Sequence, residues 1–179
     1  MLTALMCLFG FSYNSILRVV AEEMFGGTDS LYSRFMLVNG LGCLAGAAVA
    51  IAGSSRYPKL IFIAGGLISG TSMIAFSQSK DPFWGTVLIW IMGFGLMSGL
   101  STTRSAVGHI AGPKFAGRAQ GVAITFFFGG MGLDSSALGH FAKHMGCPLG
   151  LLVCGISVIV ISVAMPFMPG ADEIHRFEK

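Results

Sequence analysis

A carboxylate inside an apolar run is expensive, and Asp134 lies in one, between Phe126-Phe127-Phe128 and Ala137-Leu138. In lipid such a group must be paired, protonated or open to a wet cavity. Counting at 1.5 Å per residue from a helix start near Ala119 puts it roughly 22 Å from that helix's inner end. Arg18 falls at a similar depth in the first apolar run. The two can pair, or face one aqueous cavity in which Asp134 takes and releases a proton. A purely structural hydrogen bond, with Ser135, Ser136 or Arg18 as partner, is the plainer reading. Arg104 follows Ser101-Thr102-Thr103. It suits contact with an anionic substrate, an inner gate, or simple snorkelling to the interface. Tyr13, Asn14 and Asn39 are further candidates for cavity polar groups, and interhelical hydrogen bonding accounts for them equally well.

Other chemistry is thinly represented. His140 and His144 are four apart and share a helix face, a spacing that can ligate zinc if a third donor comes from Asp134, Cys147 or elsewhere. There is no HExxH pattern, so two helix-end histidines are the plainer reading, and no metal site is expected. Cys7, Cys43, Cys147 and Cys154 form no CxxC pair and read as small apolar residues. A GxxxxGK[ST] loop is absent, which leaves ATP-driven pumping without support. The chain is expected to be no enzyme and to need no cofactor.

These residues must be positioned by membrane helices. The chain has 179 residues, 54% hydrophobic and 11% charged, with a mean hydropathy of +0.77. Soluble domains carry about 25% charged residues, so lipid is the expected solvent. Six apolar stretches run Leu2–Val20, Leu31–Ala52, Leu60–Ser77, Phe83–Ser101, Val122–Phe141 and Leu149–Met168. Each approaches the ~20 residues that cross ~30 Å of hydrocarbon. The alternation of a barrel strand is missing, so helices are expected. Residues 1–170 thus form a six-helix transmembrane bundle and 171–179 a short tail. No basic region precedes the first stretch, which reads as a retained helix rather than a signal peptide.

Gly-, Pro- and Ser-rich segments separate the stretches, among them Gly112–Arg118, with Lys143–Pro148 the last. With both termini cytoplasmic, the inner segments hold Arg56, Lys59, Lys114, Arg118, Arg176 and Lys179; the outer loops hold Lys80 and Lys143, with Arg18 and Arg34 near the outer helix ends. That bias favours cytoplasmic termini. Trp84 beside Phe83 fits an interfacial anchor. The net charge of +3 is scattered, with no basic stripe for nucleic acid.

Glycine supplies the packing. Of 26 glycines, pairs at GxxxG spacing recur at Gly42/Gly46, Gly66/Gly70, Gly95/Gly99, Gly108/Gly112 and Gly117/Gly121. Small residues let helix backbones approach closely in lipid.

The stretch Met92–Gly146, MGFGLMSGLSTTRSAVGHIAGPKFAGRAQGVAITFFFGGMGLDSSALGHFAKHMG, resembles the fourth-to-fifth helix region in the C-terminal half of a major facilitator superfamily transporter. FGFSYNSILRVVAEEMFGGTDSLYSRFMLVNGLGCLAGAAVA resembles that half's first helix pair. The similarity is to the drug and siderophore exporter branch, with its macrolide efflux pumps and enterobactin exporter. The resemblance implies half of a twelve-helix fold, alternating access, and proton-coupled efflux of a small-molecule substrate across a bacterial inner membrane. The expected partners are the bilayer and either an N-terminal six-helix half or a second copy. The family's charged loop after the second helix is reduced here to Gly53, Arg56 and Lys59, without its acid. A non-transporting membrane scaffold, in which the glycine faces serve only packing, is the alternative reading.

Overall fold

Helix starts are marked by Asp29, Pro58 and Pro82. Helix α1 (Asp29–Gly53) has its acid in the first turn, where a negative charge meets the positive end of the helix dipole. Helix α2 (Pro58–Gln78) opens on proline, whose missing N–H is no loss in a first turn. The Tyr57 N–H donates to the Gly53 carbonyl at 3.0 Å. The α2 helix ends where Ser79 turns extended, with its N–H on the Phe76 carbonyl at 3.2 Å. Helix α3 (Pro82–Met145) follows, and α4 (Cys147–Ala164) is the last described element. The computed structural model describes residues 17, 29–53, 57–79, 81–145 and 147–164; side chains at 106–111, 113, 114, 116, 119, 123 and 126–148 are not described.

Every element among the described residues is α-helical. Both α1 and α2 pack on α3, α4 packs on α2, and α1 and α2 scarcely meet. The core between them holds Leu17, Phe35, Met73, Phe76, Ile89, Met92, Leu96, Leu151, Cys154 and Val158. Phe35 and Phe76 meet edge to face at 6.3 Å.

The polarity is that of a lipid-embedded bundle. The buried stripe of α1 is Phe35, Asn39, Gly42, Gly46 and Ala50, mostly small or polar. Its outward side carries Leu37, Leu41, Leu44, Val49 and Ile51, all exposed. In water each such side chain forgoes about 1.5–3 kcal/mol of burial. In hydrocarbon it forgoes nothing. Among the described residues, three segments, Asp29–Gly53, Pro58–Gln78 and Pro82–Ser105, are long and apolar enough to cross a membrane; Leu149–Ala164 is a shorter apolar helix.

Five of the six expected stretches fall on described helices, α4 reaching Ala164. Leu2–Val20 lies outside the described residues except for Leu17, which is helical and buried, as does the tail 171–179. The polar segments differ from expectation. Gly112–Arg118 is no loop: the helix continues past Ser101 to a break at Gly112 alone (φ 68°, ψ 165°) and resumes at once. That backbone region is open essentially only to glycine. Pro113 then starts the second limb, some six residues before the start expected near Ala119. Likewise Lys143–Met145 remain helical, and α4 begins at Cys147 rather than Leu149.

The limbs of α3 fold back on each other. The Gln120 side-chain amide donates to the Arg104 carbonyl at 3.1 Å. A straight helix would hold those two residues about 24 Å apart. So α3 is a helical hairpin with Gly112 at its apex.

Candidate functional site at the helix crossings

Among the described residues, the helices touch backbone to backbone at three places. Where α1 crosses the first limb of α3, the Cβ position of Gly42 is occupied by the Trp90 carbonyl and that of Gly46 by the Phe94 carbonyl. The pairing ascends on both chains, so the helices run parallel. From the other side, Gly93 faces Asn39. A Cβ on Gly93 would meet the Asn39 side-chain oxygen, its carbonyl oxygen at 2.7 Å and the Cys43 sulfur at 3.3 Å. Asn39, 7% exposed near the middle of α1, therefore sits inside this crossing.

The second crossing joins α2 to α3. A Cβ on Gly65 would lie 2.6 Å from the Gly95 carbonyl oxygen and the Ser98 hydroxyl, and 3.2 Å from the Gly99 nitrogen. One on Gly95 would meet the Gly65 carbonyl oxygen at 2.6 Å and the Ser69 nitrogen at 2.8 Å. The third crossing joins α2 to α4: Gly70 has the Gly155 carbonyl oxygen 2.9 Å from its Cβ position, beside Ile159.

Buried hydroxyls cluster along these seams. Ser69 donates to Gly66 O (3.0 Å), Ser72 to Ile68 O (2.6 Å), Ser98 to Gly95 O (2.9 Å) and Thr102 to Ser98 O (2.8 Å). Thr103 donates to Gly99 O at 3.0 Å, and Ser162 to Val158 O at 2.8 Å. Each proton is thus satisfied within its own helix, the usual solution where water is absent. The oxygens keep lone pairs that can accept from a polar ligand.

Arg104, half-buried, lies just below this polar seam, toward the hairpin apex. Its own carbonyl carries the bond from Gln120 that ties the limbs. Asp134 lies on the second limb with its side chain undescribed, as do His140 and His144; Tyr13, Asn14 and Arg18 lie outside the described residues. An approach of Arg18 to Asp134 therefore falls outside them too. Among the described residues no cluster of His, Cys, Asp or Glu is placed to hold a metal.

The glycine pairs distribute unevenly. Gly42/Gly46 and Gly95/Gly99 lie in crossings, and Gly70 lies in a third. Gly66 is buried on α2, while its neighbour Gly65 makes the contact with α3. A Cβ at Gly112, Gly117 or Gly121 would meet nothing within 4 Å, so the described residues supply no helix against them. The strict GxxxG spacing passes over Gly65, Gly93 and Gly155. Gly65 pairs instead with Ser69, and the broader small-xxx-small pattern finds it.

A family model described as transmembrane secretion effector, of major facilitator type, matches residues 1–174. No curated protein and no solved structure matches the chain.

Proposed function

Because this chain belongs to the major facilitator family of transmembrane secretion effectors and is a multi-pass membrane protein of that transporter family, we propose that it exports a small solute by alternating access, driven by a proton gradient. The family match over residues 1–174 carries this reading. The polar seam gives it a physical footing: buried Asn39, Ser69, Ser98 and Thr102 lie in or beside helix crossings within the apolar spans, where ionisable or hydrogen-bonding groups are retained for a reason. The family's description as a secretion effector supports export as the direction. The drug and siderophore class supplies the cargo, and a bacterial inner membrane the setting.

In this scheme Asp134 is the proton carrier. It is neutral when its side faces low dielectric and ionised when open to water or to Arg18. Arg104 meets anionic groups at the inner mouth, and Tyr13, Asn14 and Asn39 offer hydrogen bonds to cargo. The chain acts as one six-helix half, and an N-terminal half or a second copy completes the cavity. Gly117 and Gly121, open to a partner helix, support that arrangement.

The test is reconstitution in vesicles under an imposed pH gradient, with the chain alone and together with a candidate half. A panel of amphipathic solutes is followed by fluorescence. Gradient-dependent flux that falls at least tenfold in Asp134→Asn is expected. Flux unchanged by Asp134→Asn removes that residue from the coupling. Absence of flux with every cargo and partner favours a packing subunit instead.

A further inference from the structure

The two interhelical segments at one end of this bundle hold bases and no acids in their sequence. Between Asp29 and Asp81, and again between Asp81 and Asp134, the sequence holds neither Asp nor Glu. Arg56, Lys59, Arg104, Lys114 and Arg118 fall in those intervals at or near the α1–α2 turn and the α3 apex. Since α1 runs parallel to the first limb of α3, that turn and that apex lie at the same end.

The crossings set the level of each base. Gly65 on α2 stands against Gly95 and Gly99 on the antiparallel first limb of α3. Six residues back from Gly65 is Lys59, which comes level with a point about six residues beyond that contact, next to Arg104. The bond from Gln120 to the Arg104 carbonyl brings the second limb to the same height, with Arg118 half a turn closer to the apex. Lys59 and Arg104 are half-buried and Arg118 exposed. Tyr57 is exposed beside Lys59, and Phe115 is 53% exposed beyond Arg118.

The level is that of lipid headgroups. Gly42 faces Trp90 and Gly46 faces Phe94, so α1 ends at Gly53 opposite residue 101. Arg104 lies about 4–5 Å beyond that plane and Arg118 about 7–8 Å, counted along the hairpin. The interfacial layer is roughly 5–8 Å deep. Tyr57 is an exposed aromatic at about that depth, as interface anchors are.

We propose that Lys59, Arg104 and Arg118 form a collar that binds the headgroup phosphate of acidic phospholipids, with Tyr57 seated among the headgroups beside it. Three bases from α2 and both limbs of α3 converge on one height with no carboxylate on the same end between Asp29 and Asp134. The complement is a fixed negative charge at that depth, which an acidic lipid presents and a zwitterionic lipid presents only with its own cation attached. This rests on the membrane reading and not on transport.

The test uses the purified full chain in detergent, equilibrated with an equimolar mixture of phosphatidylglycerol and phosphatidylcholine. Retained lipid is counted by native mass spectrometry. The expected result is a preference for phosphatidylglycerol that falls about fivefold for each base removed, and about thirtyfold in Lys59→Gln/Arg118→Gln. Arg34→Gln, which removes an exposed base at the opposite end, leaves it unchanged. On the unmodified chain, high ionic strength weakens the preference through screening, which keeps the test independent of how the variants fold. An unaltered preference in the double variant whose melt matches the parent, an equal loss in Arg34→Gln, or a preference indifferent to salt overturns the proposal.

Discussion

Gly40 and Gly42 are two residues apart on one helix and have opposite surroundings. A Cβ at Gly40 meets nothing within 4 Å, while one at Gly42 collides with the Trp90 carbonyl. Gly42→Ala must push two backbones apart, at a cost of about 1–3 kcal/mol. Gly40→Ala should be neutral or slightly stabilising, because alanine is the better helix former. Unfolding in mixed detergent and denaturant measures both; equal effects would mean that α1 does not cross α3 at Gly42. At this scale the sequence was legible in part. GxxxG spacing located Gly42, Gly46, Gly70, Gly95 and Gly99, which do lie in crossings. It could not tell which glycine of the Gly65–Gly66 pair faces α3, because a helix turns 100° between neighbours and a spacing rule carries no absolute phase. Nor could it separate open Gly117 and Gly121 from the rest, since a repeat says nothing of what stands opposite.

At the scale of elements, apolar length located the helices and punctuation misplaced their ends. Gly112-Pro113-Lys114 reads as a loop because glycine, proline and lysine are common loop residues. Proline is equally at home in the first turn of a helix, and one glycine with positive φ suffices to reverse the chain. The hairpin thus depends on one backbone conformation. Gly112→Ala has room for its Cβ, so its effect is purely conformational: about 1–3 kcal/mol of destabilisation. Gly117→Ala, equally open but in ordinary helix, should cost nothing. Comparing the two by thermal unfolding in detergent separates backbone strain from packing; equal midpoints would argue that the hairpin does not turn at Gly112.

For the whole molecule, the decisive feature is that large aliphatic side chains face outward as well as into the core, with small and hydroxyl-bearing residues at the helix crossings. Composition predicted the solvent, since so few charges cannot coat a water-facing surface. It could not predict which face of each helix meets lipid, because α1 is apolar almost all round and only its contacts with α3 set the phase. The same arrangement places the polar seam between helices, and that makes the transport reading physically reasonable. The most direct measurement scans α1 with single spin labels from residue 36 to residue 51 in bilayers, recording collision with molecular oxygen and with a water-soluble nickel chelate. Helical periodicity is predicted, with oxygen maxima at 37, 41, 44 and 48, minima at 39, 42 and 46, and little nickel contact at mid-span. High nickel contact at 37, 41 and 44 would mean that this face meets water, and the lipid-embedded bundle would be contradicted.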